Sequence, residues 1–465
     1  MRTLIHDARL VAPMDDARTE IPGGYVLLED DRVLAVGAPP APADVPVDRR
    51  IDARGKVVLP GFVNTHHHLP QVLTRNVRRV QEAPLFAWLT GLYPVWRGWD
   101  AAAVDAAARV GLGELLLTGC TTTADHLYLF PKGQGRLIDA EISAARDLGI
   151  RFHPTRGSMS RGQSQGGLPP DDVCEDEETI LADSVRLIRE YHDPKPRAMT
   201  RIALAPCAPF SVSDGLMRRT ADLARTRGVR LHTHLAETKD EERYCLDVYG
   251  CRPVEYLRRL GWLGPDVWLA HCVHLSPDEV ALFAATGTGV AHCPSSNFRL
   301  GSGLAPVRAL LDAGAPVGLG VDGSASNDTS NMMAEVRQAL LAHRPGHDPE
   351  QWLTARDVLR MATRGGASCL GRDDVGRLEP GKAADLILVE TRRLSYAGAG
   401  SDILAALVFS PFPEPVHTVI VNGRVVVEGG QLVGIDVEAL VQRAEGISQE
   451  LLAAAGASGR ADIRE

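Results

Sequence analysis

The sequence predicts an α/β fold in which a (β/α)8 TIM barrel carries a small β-sandwich domain built from both termini. Eight short apolar runs alternate with helical segments through the middle of the chain, which is the rhythm of a closed parallel barrel. Hairpin patterns occur at both ends of the chain. Histidines and an aspartate follow the ends of several predicted barrel strands, where barrel enzymes carry their chemistry.

The two ends of the chain resemble each other and differ from the middle. Near the amino end, the runs YVLLE and RVLAVG flank two aspartates at 30–31 in a hairpin pattern. Near the carboxyl end, β-branched runs flank Asn422 and Gly423, and Asn-Gly in that setting is a strong signal for a two-residue hairpin. We therefore predict one composite β-sandwich domain from residues 1–57 plus 372–465.

Residues 58–371 are predicted to form the barrel domain. The apolar runs that predict strands lie near residues 57–64, 119–126, 151–155, 201–207, 229–235, 266–271, 288–293 and 316–321. Helical patterns lie between them, including residues 101–117, 139–148, 176–191, 215–227 and 277–285. A doubly wound open sheet is the alternative fold, but no glycine-rich GxGxxG loop follows the first strand to support it.

The composition indicates the class of partner and the compartment. The chain has 465 residues, and its 45% hydrophobic and 23% charged residues are ordinary for a soluble globular protein. A net charge of -9 argues against a nucleic-acid surface, and no apolar run reaches the roughly 20 residues that span a bilayer. The eight cysteines are scattered without a CxxC pair, which predicts reduced thiols and a cytoplasmic protein.

The first predicted barrel strand ends in three consecutive histidines, in the run PGFVNTHHH at residues 60–68. Successive strand residues point to opposite faces, so His66 and His68 share a face and His67 points the other way. Two imidazoles on one face at the carboxyl end of a buried strand form half of a metal site. We therefore predict that His67 is not a ligand.

Three further strands end in groups that suit a metal ion. The fifth strand ends with His232 and His234, the sixth with His271, and the eighth with Asp322. Imidazoles combined with one carboxylate suit zinc or ferrous iron. Because His232 and His234 share a strand face, their spacing alone does not say which of the two is the ligand.

These motifs resemble those of the amidohydrolase superfamily, in its nucleobase-deaminase branch. The run PGFVNTHHH is similar to the first-strand motif, and HTHLAET and GVDGSASND, which begin at His232 and Gly320, are similar to the fifth- and eighth-strand motifs. The resemblance covers nearly the whole chain, including the two-ended β domain. It places His271 beside the metal, near the water or the substrate. It also implies four metal ligands: His66, His68, His234 and Asp322.

The resemblance implies one divalent metal ion per subunit. Binuclear members of the superfamily bridge two metals with a carbamylated lysine on the fourth strand, and the run RIALAPC at residues 201–207 contains no lysine. Zinc is the first choice, with ferrous iron as the alternative, since such a site activates water.

The resemblance also implies roles in proton transfer. Members of the deaminase branch use a glutamate at the position of Glu237. Water would attack a carbon that bears an exocyclic amine, Asp322 would take a proton from the water, Glu237 would protonate the ring nitrogen, and ammonia would leave. Without the resemblance, Glu237 also fits as a carboxylate that stabilises the start of a helix.

Gln71 lies one turn beyond His68, and its amide both donates and accepts hydrogen bonds, which suits the lactam edge of a nucleobase. Guanine deaminases share the spacing His-x-His-x-x-Gln, but the arginine that they carry after strand four is missing from PCAPFS, which begins at Pro206. The stretches QVLTRN, GCTTTADHLYLFP and TRGSMS resemble 8-oxoguanine deaminases, a group also labelled hydroxydechloroatrazine ethylaminohydrolases. This implies conversion of 8-oxoguanine to urate and ammonia, or of isocytosine to uracil.

Two more residues are predicted to contact the substrate, each with an alternative. Cys207 lines the pocket or is a buried apolar residue. Arg156 meets a substrate oxygen or anchors the long polar loop at 156–172, a kind of loop that is often a lid. Residues 84–99 hold three of the six tryptophans, which predicts core or oligomer packing, or an aromatic wall for a planar ligand.

Other functions remain open. The same metal and glutamate would serve to release an alkylamine from a hydroxytriazine, or ammonia from guanine or another nucleobase. Hydrolysis of cyclic amides is disfavoured by the missing lysine and by the presence of Glu237. A non-catalytic binding barrel would be expected to have lost a ligand or the acid–base group, and neither is lost. The expected partner is a small nucleobase-like molecule bound by a homo-oligomer, without nucleic acid or membrane.

Overall fold

Three sheets organise the chain, and one of them closes into a barrel. The computed structural model describes residues 1–42, 45–410 and 415–457. Its strands are, in chain order, β1 (Arg2–His6), β2 (Leu10–Val11), β3 (Tyr25–Glu29), β4 (Arg32–Gly37), β5 (Arg49–Asp52), β6 (Lys56–Pro60), β7 (Phe62–Asn64), β8 (Cys120–Leu127), β9 (Arg151–Ser158), β10 (Ala203–Pro206), β11 (Arg230–Leu235), β12 (Val267–His271), β13 (Gly289–His292), β14 (Val317–Leu319), β15 (Leu386–Glu390), β16 (Thr418–Val421), β17 (Arg424–Glu428) and β18 (Gln431–Leu432). Strands β7 to β14 form the closed parallel barrel, with β14 pairing back to β7, which confirms the predicted (β/α)8 fold.

The helices begin where polar side chains satisfy the first backbone N–H groups. Asp100, Asp176, Ser213 and Ser276 each accept a hydrogen bond from the first turn of the helix that follows. The helices are α1 (Leu85–Trp96), α2 (Ala101–Leu117), α3 (Leu137–Leu148), α4 (Glu177–Tyr191), α5 (Asp214–Arg227), α6 (Lys239–Tyr249), α7 (Pro253–Arg259), α8 (Pro277–Thr286), α9 (Pro294–Arg299), α10 (Val307–Ala313), α11 (Met332–Ala342), α12 (Ala355–Arg360), α13 (Gly366–Cys369), α14 (Ile403–Phe409) and α15 (Val437–Ala454). The five predicted helices correspond to α2, α3, α4, α5 and α8. Among the described helices, none has the length and apolar character that a membrane crossing requires.

The predicted first strand, residues 57–64, is two strands in two different sheets. β6 pairs with β15 and β2, whereas β7 enters the barrel beside β8. The change occurs at Gly61, where an added Cβ would lie 2.1 Å from the side chain of Thr121. Both strands are buried along their whole length. The apolar run therefore continues through the junction, and the change of sheet leaves no mark in the sequence pattern. The predicted domain boundary at 57/58 therefore falls inside β6.

The two open sheets face each other across an apolar layer. The sheet β4-β3-β1-β5 and the sheet β18-β17-β16-β15-β6-β2 are built from both ends of the chain. Ile5 and Val26 of the first sheet pack in one buried cluster with Val58, Leu386 and Ile420 of the second. This is the sandwich arrangement that the two-ended hairpin patterns predict.

The carboxyl-terminal helix α15 packs on the barrel. It lies within residues 372–465, which the sequence predicts as part of the sandwich domain. Arg443 of α15 forms an ion pair of 2.7 Å with Asp105 of α2, and Ser448 donates a hydrogen bond to the carbonyl oxygen of Leu73. The hairpin pattern on which the predicted domain rests covers the strands of residues 372–465 and does not extend to this helix. We propose that α15 belongs structurally to the barrel.

A buried ion pair joins the barrel to the sandwich. Arg151, at the start of β9, donates two hydrogen bonds of 2.9 Å to the carboxylate of Asp385, just before β15. Asp385 also accepts a hydrogen bond from the backbone N–H of Asn422 in the β16–β17 hairpin. Both charged side chains are inaccessible to solvent, so this junction fixes the amino-terminal end of the barrel on the sandwich.

Candidate metal centre

A group of buried side chains meets at the carboxyl ends of the barrel strands. β7 leads directly into His66 and His68, and Asp322 lies three residues beyond the end of β14. β8, β11 and β12 contribute further imidazoles from their last residues. These side chains, all buried, are His66, His68, His126, His234, His271 and Asp322.

Hydrogen bonds to the backbone decide which nitrogen of each histidine faces the centre. His68 Nδ1 lies 2.6 Å from the carbonyl oxygen of His126, and His234 Nδ1 lies 2.7 Å from the carbonyl oxygen of Cys207. A carbonyl oxygen only accepts, so both Nδ1 atoms carry the proton. The Nε2 atoms of His68 and His234 therefore present lone pairs to the centre.

His66 is oriented in the same sense by a relay through His232. His232 Nδ1 donates to the carbonyl oxygen of Trp268 over 2.8 Å, so its Nε2 is an acceptor. His66 Nδ1 lies 2.8 Å from that acceptor and must carry the proton that joins them. Both nitrogens of His232 are thus engaged, and this network favours His234 over His232 as the predicted metal ligand.

Four electron-pair donors then converge without protons between them. The Nε2 atoms of His68 and His234 are 3.1 Å apart, and Asp322 Oδ1 lies 3.4 Å from His66 Nε2 and 3.3 Å from His68 Nε2. His66 Nε2 has no hydrogen-bond partner within the described ranges. Lone pairs at these separations repel unless a cation lies among them, so the donor set fits a divalent metal ion.

The protonation states also suit a metal. Burial lowers the pKa of His234 to about 3 and lowers the pKa values of His66 and His68, so these imidazoles are neutral. Burial by itself would raise the pKa of Asp322, but the surrounding histidines, His66 first among them, hold it well below its usual range. Metal ligands must be deprotonated, and these four are.

His126 is a neighbour that the sequence analysis did not assign to the site. Its Nε2 donates to the carbonyl oxygen of Ala205 over 2.8 Å, and its Nδ1 is buried without a partner in the described chain. Its ring stacks on that of His234 at 4.8 Å. The sequence could have indicated His126, because it lies near the end of an apolar strand pattern, as the assigned histidines do.

His67 points away from the centre, as strand alternation predicts. Its Nε2 lies 2.9 Å from the hydroxyl of Ser330, behind the first strand. His67 belongs to neither of the clusters of possible ligands found among the described residues.

Glu237 lies beside the centre on a turn that a second glutamate holds. Glu241, in the first turn of α6, accepts hydrogen bonds of 2.8 Å from the backbone N–H groups of Ala236 and Glu237. Burial raises the pKa of Glu237 to about 7, which suits a group that gives and takes protons near neutral pH. Glu241 was not predicted as part of the site. Its position in the sequence, four residues after Glu237, does not indicate that it accepts hydrogen bonds from this turn.

His271 and Asp322 adopt backbone conformations that are unusual for residues other than glycine. Their φ angles are +71° and +63°, in the left-handed region, where strain is common at functional sites. His271 Nδ1 donates to Asn297 Oδ1 over 2.8 Å, which leaves its Nε2 facing Glu237 Oε2 at 3.6 Å and Asp322 Oδ2 at 4.0 Å. Although burial opposes it, these two carboxylates raise the pKa of His271.

The cavity above the centre has an aromatic and aliphatic wall, and the candidate metal and proton-transfer residues form its polar part. Gln71 and Cys207 line it as predicted. Gln71 Oε1 is buried without a partner among the described residues, and a Cβ added to Gly323 would lie 1.8 Å from it, so a side chain at position 323 would displace the amide of Gln71. Burial raises the pKa of Cys207 to about 12, so this residue is a neutral thiol. The wall includes Leu85, Trp88, Leu89, Tyr93, Tyr128, Phe210 and Leu300.

The tryptophans of residues 84–99 serve both predicted roles, as a cavity wall and as core packing. Trp88 lines the cavity, whereas Trp96 and Trp99 stack on each other at 5.4 Å within the buried core. The segment therefore supplies part of an aromatic wall and supports it from behind.

Arg156 is not among the described residues that line this cavity. Its Nη2 lies 2.9 Å from Glu175 and its Nε 2.7 Å from Asp183, and its guanidinium stacks on Phe130 at 3.8 Å. With its donors and its face engaged, Arg156 anchors the loop after β9, which corrects the prediction of a substrate contact. None of the described residues 159–172 lines the cavity either.

Comparison with known proteins places these features in context. Residues 57–426 match the model of the amidohydrolase family. The 8-oxoguanine deaminase of Pseudomonas aeruginosa is 48% identical over 431 residues, which cover 92% of this chain and 95% of that protein. The hydroxydechloroatrazine ethylaminohydrolase of a Pseudomonas species (strain ADP) is 37% identical over 450 residues, covering 94% of this chain and 93% of that protein.

Solved structures share the fold over almost the whole chain. The atrazine chlorohydrolase of Arthrobacter aurescens, solved in complex with zinc, superposes with a TM-score of 0.91 at 38% identity, covering 96% of this chain and 100% of that one. An adenosine deaminase from Xanthomonas campestris with bound zinc superposes with a TM-score of 0.87 at 28% identity, covering 97% and 98%.

Proposed function

The chain belongs to the amidohydrolase family, and from that premise we propose that it is a metal-dependent hydrolytic deaminase of an amino-substituted oxo-purine or pyrimidine. The observation that carries the proposal is the convergence of three Nε2 lone pairs with Asp322 Oδ1, next to Glu237 and His271. The substrate that we favour is 8-oxoguanine, which with water gives urate and ammonia. Isocytosine, which gives uracil, offers the same 2-amino, 4-oxo edge.

The ligand set supports one divalent ion per subunit, with zinc as the first choice and ferrous iron as the alternative. His66, His68, His234 and Asp322 would hold it. When bound, such an ion polarises water and lowers its pKa to about 7. Zinc in two structurally similar relatives supports this choice.

The chain's own residues move the protons. Asp322 Oδ2 is turned away from His66 and His68 toward His271, where it can accept a proton from the attacking water. Glu237 is placed to give a proton to the ring nitrogen, and the proton that Asp322 takes from water can pass to the departing amine. The hydroxyl proton of the tetrahedral intermediate then restores Glu237. His271, held by Asn297, orients both carboxylates through its Nε2. The carbon–nitrogen bond to the exocyclic amine breaks, and the amine leaves as ammonia.

The cavity favours a flat heterocycle with an amide edge. Trp88, Tyr93 and Tyr128 supply ring faces and edges. Gln71 Oε1 is unpartnered in the described structure and can accept from a ring N–H. This supports Gln71 as a residue that binds the substrate, and Cys207 as a residue that shapes the pocket.

The first test is a screen of metal-replete protein for ammonia release from 8-oxoguanine, isocytosine, guanine and cytosine. We expect turnover of 8-oxoguanine, isocytosine or both, with less on guanine and cytosine. Release from none of the four would refute deamination of a nucleobase. Hydroxytriazines belong in the same screen with alkylamine detection, because a hydroxydechloroatrazine hydrolase is among the relatives; amine release from them alone would favour that second function.

The second test is the variant Glu237→Gln, with Asp240→Asn as the matched control on the outer part of α6. Loss of the proton-transfer group should lower kcat by about 10²–10⁴-fold, while the metal content stays at the wild-type level. The control should keep wild-type kcat, since Asp240 pairs with Arg243 at the surface. Near-normal turnover by Glu237→Gln with metal retained would refute the assigned role.

We also propose that the protein acts on small molecules as a homo-oligomer in the cytoplasm, without nucleic acid or membrane. An apolar stripe on and before α15, formed by Val433, Val437 and Val441, is 42–52% exposed, which supports contact with a second copy. The eight unpaired cysteines support a reducing compartment. Light scattering of the purified protein tests the oligomer, and a monomer would refute it.

A further inference from the structure

A second cavity lies at the amino-terminal end of the barrel, away from the metal centre. Its volume is 420 Å³, within the range of about 300–1,000 Å³ that is typical of small-molecule sites. Residues at the starts of β9 and β11 and just before β10 line it, and the proposed function uses none of them. Its polar side chains are His153, His192, Arg201, Arg225, Arg230 and Asp266.

The wall of this cavity carries unbalanced positive charge. Three arginines face one aspartate, and Asp266 is paired at 2.9 Å with Arg225, so among the described residues the other two guanidinium groups form no ion pair with a carboxylate. Within the described chain, Arg201 bonds only to carbonyl oxygens, such as that of Lys195 at 3.1 Å, and Arg230 donates to the carbonyl oxygen of Cys369 at 2.7 Å. This local excess stands out in a chain whose net charge is -9.

Several donors at the cavity are left without acceptors. The Nε atoms of Arg201 and Arg230 are buried without hydrogen-bond partners in the described ranges, and so is Nδ1 of His153, a side chain that is 2% exposed. His192 Nδ1 accepts from the backbone N–H of Ile202 over 3.1 Å. Its Nε2 therefore carries the proton and can donate. A buried donor without an acceptor is costly, which applies to the Nε atoms of the two arginines, and all four residues line the cavity.

We propose that this cavity binds an oxyanion of the phosphate class, through Arg201, Arg230 and His192. The anion would be inorganic phosphate or the phosphoryl group of a nucleotide. A phosphate carries about -1.5 to -2 charges at pH 7, which matches the two uncompensated guanidinium groups. Arginine forms paired hydrogen bonds to such oxygens.

The electrostatics agree with an anion site. Burial lowers the pKa of Arg230, and the charge of Arg201 lowers it further; burial and the charge of Arg372 lower the pKa of Arg201. Burial and the surrounding arginines also lower the pKa of His153, so it is a neutral imidazole. A bound dianion would relieve the repulsion among these cations.

The test is calorimetric titration of the metal-replete, full-length protein with inorganic phosphate, AMP and uncharged adenosine. We expect saturable binding of phosphate, AMP or both at one site, and none of adenosine there. Tighter binding of phosphate identifies the free anion as the ligand, and tighter binding of AMP identifies a nucleotide. Because no turnover is measured, the outcome is independent of the deaminase activity.

Variants locate the binding. Arg201→Gln, Arg230→Gln and His192→Ala should each weaken it, the arginine changes by at least about tenfold. The control Arg227→Gln removes the same charge from an exposed residue outside the cavity and should bind normally. If Arg230→Gln does not fold, the other two variants decide. No saturable binding of either anion, unchanged binding by Arg201→Gln and His192→Ala, or loss only in the metal-site variant Asp322→Asn would overturn the proposal.

Discussion

The relay from Trp268 through His232 to His66 yields a prediction about metal affinity. His232 binds neither the ion nor the substrate in this arrangement, yet it accepts the proton of His66 Nδ1 over 2.8 Å. Substituting His232→Leu would leave that N–H buried without an acceptor. The cost of an unsatisfied buried donor is about 1–3 kcal/mol, and at about 1.4 kcal/mol per factor of ten this corresponds to roughly 5- to 150-fold.

We expect most of this cost to appear as weaker metal binding. A free His66 can rotate or take the other tautomer, and the ion then loses an oriented ligand. Loss of a residue that orients a ligand weakens metal affinity by about 10–100-fold, in agreement with the range from the hydrogen bond. His232→Gln should recover part of the affinity, because its side-chain oxygen can accept from His66.

The assay is competition for zinc between the protein and a chelating dye of known affinity, at fixed pH. The matched control is His67→Gln, which alters the adjacent buried histidine that contacts Ser330 and should leave the metal affinity unchanged. Circular dichroism of the metal-free variants checks that each one folds. Wild-type affinity in His232→Leu, or equal weakening in His67→Gln, would refute the relay.

Two further predictions concern stability. Asp385→Ala should destabilise the protein by about 3–5 kcal/mol, because it leaves the buried guanidinium of Arg151 unpaired; the urea midpoint measures this, and a double variant with Arg151→Met that is no more stable than the single one would contradict it. Burial raises the pKa of Asp125 from 3.8 to about 7, and burial with the charge of Asp125 raises that of Glu141. The pair's contribution to stability is therefore present below about pH 4 and is lost as the pH rises to about 7. Glu141→Gln should flatten that loss in thermal melts from pH 5 to pH 8, and parallel profiles of variant and wild type would argue against the raised pKa of Glu141.

The barrel and its metal-binding strands could be predicted because their patterns are local. Alternation along a strand puts His66 and His68 on one face and His67 on the other, whatever surrounds them. Strand–helix alternation over the middle of the chain is equally local, and the structure has a closed barrel there. The split of residues 57–64 into β6 and β7 could not be predicted in this way, because burial on every side makes both strands apolar and removes the alternation that would mark a change of sheet.

The residue types at the ends of the barrel strands, and hence the chemistry available there, can be read directly from the amino-acid sequence. How each side chain is used depends on its partners in the folded chain. His232 and His234 have the same spacing and the same face, but Trp268 and Cys207, which are remote from one another in the chain, supply the carbonyl oxygens that make one a relay and turn the Nε2 lone pair of the other toward the candidate metal centre. Arg156 likewise anchors a loop because Glu175 and Asp183 form ion pairs with its guanidinium group. Hydrogen-bond partners come from distant parts of the chain, so they are set by packing and leave no trace in the local pattern.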